Sequence, residues 1–310
     1  MFFGVRSNRL IYTQTLTIVD ASPLWLARSL LRPSGSEQAA MIKMRDMRLN
    51  MFPLSIDQFY VKFVLSKRDN WDSFRTQHPR LFRSLYLGYR LYKGSRYLQY
   101  HRIYSRFSNF TMIPRWGYVA NLALCDQFRH VRGAVVECGT WKGGMIAGIA
   151  TLFKDDRDYY LFDSFEGLPI AQDIDKDWRS QPAKTWQANS NHNCRAEESF
   201  AQRAMLLSRA RNVHIIKGWF NTTLPKYGGQ PIAILRADGD WYESTMDILT
   251  NLYPYVVKGG LIILDDYYYW EGCAKAVHDF LSRNQLADRI YQFNNGYPGL
   301  IKNGSSALAN

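Results

Sequence analysis

Residues Val135–Gly144 read VVECGTWKGG, an apolar run that meets an acidic residue and breaks into glycines, and the apolar stretch Met145–Phe153 follows it. A short apolar run closed by a glycine turn is the pattern of a buried parallel strand, and the stretch behind it has the composition of a helix. Glycines let such a turn pass close to a ligand, and the helix start offers aligned N–H donors. The spacing is Gly-x-x-x-Gly-Gly, which differs from the Gly-x-Gly-x-x-Gly of NAD sites. A tight structural turn is the competing explanation of these glycines.

Working outward, further apolar runs stand at Tyr159–Phe162, Val213–Ile216, Ile232–Leu235 and Leu261–Leu264, with helical stretches between them. Strands alternating with helices imply an α/β fold with a parallel sheet. Ile290–Phe293 and Gly299–Lys302 flank Asn294-Asn295-Gly296 and read as an antiparallel hairpin. The expectation is one Rossmann-like domain over residues 116–310. The polar stretch 170–205, which holds Trp178 and Trp186, is too long for an ordinary connection and reads as an inserted lid. Ahead of the domain, residues 51–115 are basic and rich in aromatics at spacings of three and four, which predicts a helical extension. Residues 1–50 show no clear pattern and contain a break at Pro33-Ser34-Gly35-Ser36.

The chain has 310 residues, 46% hydrophobic and 15% aromatic, too apolar and aromatic for a disordered protein. Its net charge of +12 is uneven. Residues 1–115 carry nineteen Lys and Arg against six Asp and Glu, and residues 116–310 are near balance. Such asymmetry points either to an anionic partner, such as a membrane surface, nucleic acid or acidic substrate, or to a solvated basic helix face. Cys125, Cys138, Cys194 and Cys273 form no metal-binding or disulfide spacing, which fits a reducing cytoplasm. No stretch approaches the ~20 apolar residues of a membrane-spanning helix. The N-terminus has Arg6, Arg9, Arg28 and Arg32 against Asp20, a mild transit-peptide bias with no clear cleavage site. A start at Met41 or Met44 is the competing expectation.

In an open parallel sheet, ligands bind beyond the C-terminal ends of the strands. The second apolar run ends at Asp163, where a carboxylate can grip a ribose diol, or equally cap a helix. The fourth ends in Arg236-Ala237-Asp238-Gly239-Asp240 and the fifth in Asp265-Asp266. Four carboxylates on two neighbouring strand tips repel one another unless a cation neutralises them. Ligands that are all oxygen suit Mg²⁺, Mn²⁺ or Ca²⁺. Helix capping accounts for one of these acids more readily than for four.

Several segments in order resemble the macrocin O-methyltransferase (TylF-like) family: VVECGTWKGG, LFDSFEGLP (Leu161–Pro169), KGWFNTTLP (Lys217–Pro225), LRADGDWYEST (Leu235–Thr245) and GGLIILDDY (Gly259–Tyr267). The resemblance runs from about residue 112 to 302 and leaves the first 110 residues unmatched. It implies a class I methyltransferase sheet, S-adenosyl-L-methionine as cofactor and a divalent metal such as Mg²⁺. It places the metal on Asp238, Asp265 and Asp266, and a general base on Asp240. Glu137, Gly139, Thr140, Gly143, Gly144, Asp163, Ser164 and Gly218 become the expected cofactor contacts. Trp241 and the Tyr297-Pro298-Gly299 hairpin depart from the family pattern, so the acceptor does not transfer with the resemblance. The expected activity is O-methylation of a sugar or glycosylated small molecule by a homo-oligomeric enzyme. The alternatives are a catechol-type methyltransferase, and a nucleic-acid or membrane-surface binder that uses residues 1–115.

Overall fold

Seven strands form one sheet in the order β3-β2-β1-β4-β5-β7-β6. The computed structural model describes residues 79–154, 156–189, 193–293 and 296–303, so the expectations for residues 1–50 and 51–78 lie outside it. The strands are β1 (Ala134–Cys138), β2 (Asp158–Asp163), β3 (Asn212–Lys217), β4 (Ile232–Ala237), β5 (Val256–Leu264), β6 (Ile290–Gln292) and β7 (Pro298–Ile301). The first five are mutually parallel, and β7 runs antiparallel between β5 and β6. This is the class I methyltransferase sheet expected from the sequence, with its terminal hairpin.

The main helices are α1 (Pro79–Phe107), α2 (Arg115–Gln127), α3 (Gly144–Phe153), α4 (Ala183–Asn189), α5 (Glu198–Ser208), α6 (Phe220–Thr223), α7 (Tyr242–Leu252) and α8 (Glu271–Arg283). Side chains alternate across a strand, and the central strands therefore feed two cores. Val135, Ile234, Leu261 and Ile263 pack on one face with α2, α3 and α5. Val136, Leu235, Ile262 and Leu264 pack on the other with α7 and α8. Burial on both faces explains why β1 and β4 are buried at every position and read as continuous apolar runs.

By its internal contacts, Ser95–Asn310 forms one compact unit. The sheet unit therefore starts about twenty residues before the change in sequence texture at residue 116. The reason is apolar burial: Tyr100, Ile103 and Phe107, at the end of α1, lie in the first core. Helix α5 begins inside the stretch read as a lid and runs past its end, and its Ala201, Ala204 and Met205 are buried in that same core. Among the described residues, no helix is long and apolar enough to cross a membrane.

Phe107 has no exposed surface, whereas Tyr97 on the same helix is 56% exposed. Phe107→Ala is expected to destabilise the fold by about 3–5 kcal/mol. Tyr97→Ala should stay within about 0.5 kcal/mol. Urea denaturation midpoints check both values. Equal effects would mean that the end of α1 is not part of the core.

Candidate active site

Sheet hydrogen bonding runs one residue past the strand ends and aligns their tips. The N–H of Asp238 donates to Cys138 O (3.0 Å), that of Asp265 to Ala237 O (3.0 Å), and that of Gly218 to Asp163 O (2.9 Å). A cleft of about 490 Å³ opens over these tips. Glu137, Gly139, Thr140, Asp163, Ser164 and Gly218 line it on the β1–β2–β3 side, and Asp238, Asp240, Asp265 and Asp266 on the β4–β5 side. Of the expected cofactor contacts, Gly143 and Gly144 do not line it. Gly143 lies behind the turn in the left-handed conformation that starts α3.

Gly139 carries the tight turn. Its φ is +83°, and a Cβ there would collide with the carbonyl of Asp238, so only glycine allows the loop and the β4 tip to approach this closely. Asp163 holds the same loop from the β2 side. Its Oδ2 accepts the N–H of Trp141 and its Oδ1 that of Phe165, both at 2.7 Å. Each oxygen keeps a further acceptor position, so the carboxylate can shape the loop and still meet a diol. Burial raises its pKa, against the two N–H donors that lower it.

Arg236 is a site residue that the pattern of strand-tip acids does not single out. Its side chain is 1% exposed, and it gathers three carboxylates. Nη1 donates to Glu137 Oε1 (3.1 Å) and Asp238 Oδ2 (2.5 Å), and Nη2 lies 2.6 Å from Asp265 Oδ1. Part of the neutralising charge is thus built into the fold. Among the described residues lining the cleft, Arg236 is the single basic side chain against nine acidic ones, so much negative charge is left over. Burial, then repulsion among neighbours, raises the carboxyls of Asp240 and Asp266. Burial also raises Asp265, and Arg236 pulls it back down. Carboxylate oxygens of Asp238, Asp265 and Asp266 come within 4.8 Å of one another, a spacing that can hold a metal ion. The signal in the sequence was an arginine inside an otherwise apolar strand, a position that burial forbids without a partner.

Asp240 sits in the left-handed region at φ +54°. Its N–H donates to Asp266 Oδ2 (3.0 Å), and its Oδ1 accepts Trp270 Nε1–H (3.1 Å). Trp270 meets Trp241 edge-on at 4.8 Å and Trp186 of α4 at 5.6 Å. Trp241 is buried and donates Nε1–H to Pro169 O at 2.9 Å, so this departure from the family pattern ties down residues 169–189. The same stretch is bound by its backbone: Glu271 N donates to Lys176 O (2.7 Å) and Trp178 N to Tyr269 O (3.0 Å).

Asp175, within that stretch, had no distinguishing mark in the sequence. It is 1% exposed, and it accepts Tyr242 N at the start of α7 (2.8 Å) and Gln172 N (2.7 Å). A Cβ at Gly272 would collide with its Oδ1, so glycine there lets the carboxylate lie between the starts of α7 and α8. Asp175→Ala removes the acceptor of two part-buried N–H groups, at about 0.5–1.5 kcal/mol for each hydrogen bond. Faster hydrogen exchange at residues 170–182 and a lower Tm are expected. Unchanged exchange would show that the segment is held without the carboxylate.

Comparisons with known proteins bear on the family and the fold. A profile of the macrocin O-methyltransferase (TylF) family matches residues 111–296. Demethyldecarbamoylnovobiocin O-methyltransferase of Streptomyces niveus is 36% identical over 169 residues, which is 52% of this chain and 63% of that protein. Mycinamicin III 3''-O-methyltransferase of Micromonospora griseorubida is 32% identical over 171 residues, 52% of this chain and 65% of that protein. The chain therefore spans somewhat less than two thirds of either relative. The solved O-methyltransferase NovP superposes with a TM-score of 0.54 at 29% identity, over 63% of this chain and 83% of that one. The calicheamicin methyltransferase CalS11, with a TM-score of 0.50 and 17% identity over 88% of this chain and 95% of that one, is alike in fold. The profile match covers more than half of the chain, and the chain belongs to the macrocin O-methyltransferase (TylF) family.

Proposed function

We propose that the chain is an S-adenosylmethionine-dependent O-methyltransferase whose acceptor is a hydroxyl of a sugar or glycosylated small molecule. The observation that carries this reading is a juxtaposition within one cleft: the glycine turn and Asp163 on one side, the four strand-tip aspartates on the other. The relatives' named acceptors, demethyldecarbamoylnovobiocin and mycinamicin III, suggest the acceptor class.

The residues present fit a divalent cation. Asp238, Asp265 and Asp266 offer oxygen donors alone, close together, in a cleft whose acidic side chains outnumber its basic one. Mg²⁺ and Mn²⁺ favour such ligands. When bound, the ion would supply a Lewis acid that orients an acceptor oxygen and lowers its pKa.

The remaining chemistry belongs to the protein. An alcohol attacks a methyl group poorly until its proton is removed. Asp240 is the acceptor for that proton: it lines the cleft beside the carboxylate trio, and Trp270 and Asp266 orient it. The transfer is an in-line displacement in which the acceptor oxygen bonds the methyl carbon as the carbon–sulfur bond breaks. S-adenosylhomocysteine leaves as a neutral thioether and needs no acid. Positioning by the glycine turn and Asp163 supplies the rest.

Calorimetric titration of S-adenosylhomocysteine tests the cofactor assignment. Saturable binding is expected in the wild type, weakened on the order of tenfold in Asp163→Asn, the loss of one good interaction of about 1.4 kcal/mol. Asparagine keeps one of the two oxygens that accept loop N–H groups, so it disturbs the loop less than alanine would. A folded wild type that does not bind would overturn the reading and direct attention to residues 1–115 and their basic charge.

An Mg²⁺-dependent screen with demethyldecarbamoylnovobiocin, mycinamicin III and a catechol separates glycoside from phenol acceptors. On an accepted substrate, Asp240→Asn should lower kcat by roughly 10²–10⁴ and leave S-adenosylhomocysteine affinity unchanged. Equal loss of both would remove Asp240 from the role of base.

A further inference from the structure

We propose that Arg236 is a positioning residue that couples the cofactor loop to the carboxylate trio, so that S-adenosylhomocysteine and a divalent cation each bind more tightly when the other is present. The inference rests on the function proposed above and extends it to regulation within the site.

The structural basis is a continuous chain of charge-assisted contacts. Ile146 N, in the first turn of α3 behind the glycine loop, donates to Glu137 Oε2 at 3.3 Å. The other oxygen of Glu137 meets Arg236 Nη1 at 3.1 Å. Arg236 then reaches Asp238 and Asp265, two of the three residues that can hold a metal ion. Glu137 and Arg236 are register partners on adjacent strands, and Arg236 is paired in turn with Ile263 on β5. One guanidinium therefore spans β1, β4 and β5.

Electrostatics sets the sign. A cation on Asp238 and Asp265 competes with Arg236 for their oxygens and repels its guanidinium. Glu137 is the partner that remains, so the weight of the ion pair moves toward it. A Glu137 held more firmly fixes the start of α3 and the loop before it, which lowers the ordering cost of cofactor binding. Coupling between two ligands is reciprocal, so the cofactor must tighten the cation by the same factor. Arginine is needed because its planar fork meets several carboxylates at once, whereas a lysine ammonium is a point charge.

The test is a thermodynamic cycle on the full chain. S-adenosylhomocysteine is titrated calorimetrically with EDTA and with saturating Mn²⁺, and Mn²⁺ binding is followed by electron paramagnetic resonance with and without S-adenosylhomocysteine. This ligand lacks the sulfonium charge, so direct repulsion from the metal does not mask the effect. Each affinity is expected to rise on the order of fivefold in the presence of the other, the lower end of usual coupling. In Glu137→Gln, which keeps an acceptor for Ile146 and loses the charge, both ligands should bind with a ratio near one. Arg236→Lys should do the same, and if thermal melting shows it misfolded, Glu137→Gln decides. Equal wild-type affinities with and without the partner, no Mn²⁺ binding, or undiminished coupling in Glu137→Gln would each overturn the inference. Absence of S-adenosylhomocysteine binding under either condition would instead remove the function on which it rests.

Discussion

A single buried guanidinium organises this site. Arg236 sits on β4 between β1 and β5 with almost no access to water, where an unpaired charge is costly and a paired one needs good geometry. It is met by Glu137, Asp238 and Asp265, one carboxylate from each strand or strand tip around it. That arrangement makes the central sheet specific as well as apolar. It also explains how acidic residues can crowd one edge of a folded domain. Their charge is compensated in part by the protein, and the surplus is left facing the cleft.

A second constraint comes from the stretch between β2 and α5. Its length suggested a lid, and its contacts describe a buttress over residues 169–189. Trp241 and Trp270 are buried against it, Asp175 caps α7 from within it, and its backbone is bonded to the start of α8. These contacts converge on Asp240, whose left-handed backbone is held by Asp266 and whose carboxylate is held by Trp270. A residue in that conformation persists when its surroundings determine it from several directions, and here they do.

Much of this was legible in the chain. Burial on both faces of the central strands leaves continuous apolar runs, and β1, β2, β4 and β5 each contain the run read for them, extended by a few residues. The hairpin was visible because its turn residues sit between two short apolar segments. The strand-tip residues were legible for a topological reason: in a parallel sheet, whatever follows a strand at its C-terminal end faces the ligand. Asp163, Asp238, Asp240, Asp265 and Asp266 could therefore be named as neighbours although more than a hundred positions separate the first from the last.

The sequence by itself determined the alternation of strands and helices, the residues at the strand tips and the surplus of acid at one edge. These are local patterns of burial and turn chemistry, and they survive in one dimension. Only the tertiary structure decided which charges meet. Arg236 and Glu137 are 99 positions apart, and Asp175 and Tyr242 are 67 apart. Nothing in the spacing of either pair marks it, because a pairing between strands or across an insert is set by register and packing. The same holds for the start of the sheet unit at Ser95. Tyr100, Ile103 and Phe107 belong to a basic, aromatic stretch by composition, and to the core by the surface they bury.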